Sequence, residues 1–104
     1  MPALEYKKVN EITVEDLVDY LHLDSTQIDN NQRSLLTTMK AAAINYIAGV
    51  TGLAPEALDT LPDMTIAFFA LVQNMFDNRT YYVDKANIDD TVSSILNMYR
   101  TNLL

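Results

Sequence analysis

The sequence contains no cysteine and no tryptophan, and a single histidine, His22. The missing thiols exclude disulfides, thiolate nucleophiles and cysteine-ligated metals, and they fit folding in the cytoplasm. One histidine alone does not assemble a usual zinc site, so His22 reads as a structural side chain at a helix end. Two glycines and three prolines in 104 residues are too few for a turn-rich sheet protein. Basic residues are also scarce: 7 against 14 acidic ones gives a formal charge of -7, which disfavours tight direct nucleic-acid binding. The longest apolar run, residues 66–72, is far short of the roughly 18 residues that span a bilayer. The first residues carry no apolar signal segment after Lys7 and Lys8, so neither secretion nor membrane insertion is expected.

Recognisable catalytic apparatus is missing too. There is no glycine-rich phosphate loop, no HExxH and no spaced Ser-His-acid set. The acid pairs Glu15/Asp16 and Asp89/Asp90 sit where helix starts favour negative charge. The stretch from Asp24 to Asp29 offers oxygen ligands but lacks the glycine and final glutamate of a calcium loop. The expectation is a non-enzymatic protein with no cofactor and no metal.

What is present is a helical pattern. With 49% hydrophobic residues the chain suffices for one core and one domain. The prediction is an all-α fold, a small bundle of about four helices with a long second and a buried third. Residues 1–11 are aperiodic and read as a flexible N-terminal arm, and 12–104 as a single helical domain. Thr13 with Asp16 resembles a capping box opening helix one, which runs to about His22 and buries Val14, Leu17, Val18 and Leu21. Helix two is placed near 29–50 on the stripe Leu35, Leu36, Met39, Ala42, Ala43, Tyr46, Ile47 and Val50, with Gly49 and Gly52 as permissive stops. Residues 54–59 close a single helical turn. Helix three covers about 63–78, is apolar nearly all round from Ile66 to Val72, and has Pro62 at its start. A last helix from about Asp89 buries Val92, Ile95, Leu96 and Tyr99.

Met39, Met64, Met75 and Met98 with Phe68, Phe69 and Phe76 have two uses: core packing, which a domain this small needs, or an adaptable apolar groove for a helical peptide. The groove reading defines the alternative function, a small peptide- or protein-binding regulatory module.

Five segments in order carry a resemblance to the gp6-like head-tail connector family of tailed bacteriophages and prophages, also described as DNA-packaging proteins. They are ITVEDLVDYLHLD at 12–24, AAAINYI at 41–47 leading to Thr51 and Gly52, Leu61 with Pro62, LVQNMFDNR at 71–79, and VSSILNMYR at 92–100. The residues before 12 extend beyond the usual start, and residues 48–50 replace a more polar run.

The resemblance implies a structural virion assembly protein. Such a subunit forms a homo-oligomeric ring of about a dozen copies between the portal protein and a tail or stopper protein. DNA passes through the lumen without sequence-specific binding, and an acidic wall would let it slide. The implied location is the head-tail junction of the virion, after folding in the host cytoplasm. For subunit or partner contact the sequence nominates Tyr81, Tyr82, Val83 and Lys85 in an irregular segment, and Arg100, Leu103 and Leu104 near the end, because aromatics and arginine dominate interface energetics.

Overall fold

In the computed structural model, which describes residues 8–24, 26–80, 82–84, 88 and 90–99, every regular element is helical. A short 3-10 turn, Val9–Glu11, precedes α1 (Val14–Tyr20) and α2 (Asn30–Thr51). A second 3-10 turn, Pro55–Thr60, leads into α3 (Pro62–Asn78), and α4 (Asp90–Met98) closes the described chain.

Local chemistry sets the boundaries. The Thr13 hydroxyl accepts from the Asp16 N–H at 3.2 Å while the Asp16 carboxylate accepts from the Thr13 N–H at 2.9 Å, a reciprocal capping box. The same device opens α2: the Asp29 carboxylate accepts from the Gln32 N–H at 2.8 Å, and Gln32 Oε1 accepts from the Asp29 N–H at 3.2 Å. Of the two glycines offered as stops, Gly49 lies inside α2, and Gly52 ends it with φ 74°, its N–H donating to the Ala48 carbonyl. A glycine at the stop avoids the Cβ clash that a left-handed residue otherwise carries. Pro62 takes the first position of α3, where its missing N–H costs no helical hydrogen bond.

Helices α1 and α3 end without glycine. Leu23 N–H reaches the Val18 carbonyl and His22 N–H the Asp19 carbonyl; Thr80 and Arg79 repeat the pattern on Met75 and Phe76. Both ends are therefore Schellman motifs, with His22 (φ 59°) and Arg79 (φ 56°) in the left-handed position. Helix α1 accordingly stops at Tyr20, two residues before the expected end.

Helix α3 is the central element, packed against α2, α4 and both 3-10 turns. Met64, Phe68, Leu71, Val72 and Met75 are buried along it, and Phe69 stacks on Tyr20 of α1 with ring centroids 4.5 Å apart. Of the apolar run 66–72 in α3, Ile66 is 56% exposed and Ala70 half-buried, while the others are buried. Helix α2 contributes Leu36, Met39, Ala43 and Ile47, while Ala42, Tyr46 and Val50 flank the core half-buried. Leu35, assigned from the sequence to the buried stripe, is exposed, one position off the covered face. Arg33 forms an ion pair with Glu15 that ties α2 to α1.

Of the arm expected over 1–11, residues 1–7 lie outside the described residues, and the rest is anchored through Val9 and Asn10, with Lys8 and Glu11 exposed. Val9 and Ile12 are fully buried. Asn10 holds the turn against the second one, its side-chain amide donating to the Pro55 carbonyl at 2.9 Å and to Asp59 at 3.0 Å. Neither contact has a sequence period to announce it, since each residue acts alone across some 50 positions of chain.

Candidate functional site

The residues that the sequence offered for chemistry are occupied in structural work. Asp16 is in the α1 capping box and Glu15 pairs with Arg33. Asp29 caps α2. Asp24 accepts from the Thr26 hydroxyl at 2.6 Å and the Thr26 N–H at 2.9 Å, which closes the loop between α1 and α2. These bonds, the hydroxyl first, hold the Asp24 carboxyl below its ordinary value, so it is ionised at neutral pH. Asp90 lies in the first turn of α4, and Asp89 is outside the described residues. His22 is exposed and serves the backbone of the α1 terminus. Among the described residues no group of three or more His, Asp or Glu is placed to hold a metal.

The nominated interface residues divide. Tyr82 is 64% exposed, and its carbonyl accepts from the Thr80 hydroxyl at 3.2 Å. Val83 is half-buried against the core. Tyr81, Lys85, Arg100, Leu103 and Leu104 lie outside the described residues.

The methionines and phenylalanines divide between the core and the lining of a cavity. Met64, Met75 and Phe68 are wholly buried core. Met39 and Phe76 instead form the floor of a groove of about 310 Å³ at the end of the molecule where α2 begins and α3 ends. Leu23 and Ile28 from the α1–α2 loop and Leu35 and Leu36 from α2 complete its apolar lining. Asp24, Gln27, Gln32 and Arg79 stand as its polar groups. The Arg79 guanidinium rests over the Phe76 ring, 4.9 Å from the centroid, so the left-handed cap of α3 also presents a cation at the groove.

Sequence reasoning missed this groove as a unit because its three walls lie up to 56 positions apart, from Leu23 to Arg79. The signal within reach was the adjacent pair Leu35 and Leu36, about 100° apart around α2, which widens its apolar face beyond the Leu36, Met39, Ala43 and Ile47 line.

An apolar floor with a few placed polar groups is the usual composition of a binding site, and its volume is at the lower end of the roughly 300–1,000 Å³ of small-ligand pockets. It supplies no nucleophile and no acid-base pair. No protein-family model matches the chain, and no curated protein or solved structure does.

Proposed function

We propose that this chain is a structural assembly subunit, a head-tail connector that forms a ring of about a dozen copies between a phage portal and a tail or stopper protein. The observation that carries the reading is the order of the five family-like segments across residues 12–100. Several of them fall on element boundaries: ITVEDLVDYLHLD holds the α1 capping box, Thr51 and Gly52 end α2, Leu61 and Pro62 open α3, and Asn78 and Arg79 close it. The net charge of -7 suits a lumen past which a duplex slides. In this role the subunit performs no catalysis, needs no cofactor and works at the head-tail junction after folding in the host cytoplasm. It requires no membrane, and among the described residues no helix is long and apolar enough to cross one.

Light scattering after size-exclusion chromatography, over a concentration series and with purified portal added, tests it. A large ring, alone or on the portal, supports the connector. A monomer that also fails to bind the portal overturns it.

The groove lined by Leu35, Leu36, Met39 and Phe76 favours a second reading, a peptide-binding regulatory module. Saturable binding of an amphipathic helical peptide, with no ring under any condition, would select that reading.

A further inference from the structure

We propose that the groove receives residues 100–104 of a second copy of this chain, with Leu103 and Leu104 entering against Leu36, Met39 and Phe76 and Arg100 pairing with Asp24. The contact deepens the connector reading and rests on it for closure of a ring; the pairwise docking itself stands on the geometry that follows.

The first step is where the segment leaves the fold. Tyr99 Oη donates to Asp63 Oδ2 at 3.1 Å, so the end of α4 lies beside the beginning of α3. The groove lies at the other end, at Phe76 and Arg79. Thirteen residues of helix separate Asp63 from Phe76, about 20 Å along the axis. Four residues of fully extended chain reach only about 14 Å. Leu103 would enter the groove of its own copy only with the segment stretched back along α3, whereas the groove of a neighbour imposes no such path.

The second step is chemical fit. A volume of about 310 Å³, at the lower end for small-ligand pockets, accommodates a pair of branched side chains. Arg100 is the only charged side chain in residues 100–104. Asp24 is the only acid among the groove residues, and both of its Thr26 hydrogen bonds fall on Oδ1. The residues after Tyr99 thus offer a cation followed by two leucines, and the groove an anion, Asp24, beside an apolar floor whose own cation, Arg79, rests over the Phe76 ring.

The third step is symmetry. Because the segment and the groove are different patches, the contact can be heterologous, propagating from copy to copy and giving a ring when the rotation closes.

Complementation in analytical ultracentrifugation tests the proposal. The wild-type mass should rise with concentration, while L35D in the groove and L103D/L104D in the docking segment should each weaken association by more than about tenfold. An equimolar mixture of the two variants should recover dimers and nothing larger, because one intact segment meets one intact groove. Leu35 is exposed, so L35D should keep the fold; should it not, D24N, which removes the charge and keeps the Oδ1 acceptor for Thr26, replaces it and should weaken association as R100Q does, with no further loss when the two are combined.

The proposal is overturned if wild type stays monomeric at every concentration, if L103D/L104D associates like wild type, or if the mixture yields no dimer. It is equally overturned if deletion of residues 1–7, rather than the L103D/L104D change, abolishes association. Portal binding is measured separately, so the connector reading and this contact can fail independently.

Discussion

The Tyr99 hydroxyl donates to Asp63 Oδ2 at 3.1 Å, joining the last described residue of the chain to the first turn of α3. The hydrogen bond to Asp63, then burial, then the carboxylate charge push the Tyr99 pKa above its ordinary value of 10. A group whose folded pKa is raised lends stability that is complete below the unfolded value and lost as pH climbs through the folded one. Wild type should therefore lose stability above about pH 10 more steeply than Tyr99→Phe. Urea denaturation midpoints at pH 8 and above 10 measure the difference; equal slopes for the two proteins would contradict the assignment.

The two glycines of α2 should respond in opposite directions. Gly49 lies in the last turn of α2, and a Cβ there meets nothing within 4 Å, so Gly49→Ala should stabilise by about 0.5 kcal/mol. Gly52 holds φ 74°, so Gly52→Ala should cost about 1 kcal/mol through left-handed strain. Thermal melts of the two variants beside wild type check both signs.

The left-handed caps should also separate. His22→Gly removes the strain of a side chain at φ 59° and should gain about 0.5–1 kcal/mol. Arg79→Gly relieves the same strain but deletes the guanidinium over Phe76, so its gain should be smaller or vanish. Chemical denaturation of both variants measures the contrast.

Removing the helix-start chemistry should be costly for such short groups. Thr13→Ala and Asp29→Ala each break a capping box and should destabilise by about 1 kcal/mol. Phe68→Ala, at a fully buried ring in the centre of α3, should cost about 3–5 kcal/mol, a large share of the ~5–15 kcal/mol a domain holds.

Tyr82→Ala separates assembly from stability. At 64% exposure the ring should contribute within about 0.5 kcal/mol to folding. If the residue contacts a neighbouring subunit, ring formation or portal binding should fall while the melting temperature holds. Unchanged assembly would remove Tyr82 from the interface.

The sequence by itself determined the helices, because each is written in local chemistry. The capping box at Thr13, Pro62 at the first position of α3, Gly52 at the stop of α2 and the 36–39–43–47 stripe all act within a few residues. Tertiary structure alone decided which apolar residues were covered. Periodicity marks a face but not its partner, so Val9 proved buried, Leu35 and Ile66 proved exposed, and Gly49 proved to lie in the last turn of a helix rather than to stop it. The groove belongs to this second kind: Ile28, Leu36 and Phe76 become neighbours only when the ends of α2 and α3 and the loop before α2 are packed together, and the distance from Tyr99 to that groove is a property of the fold alone.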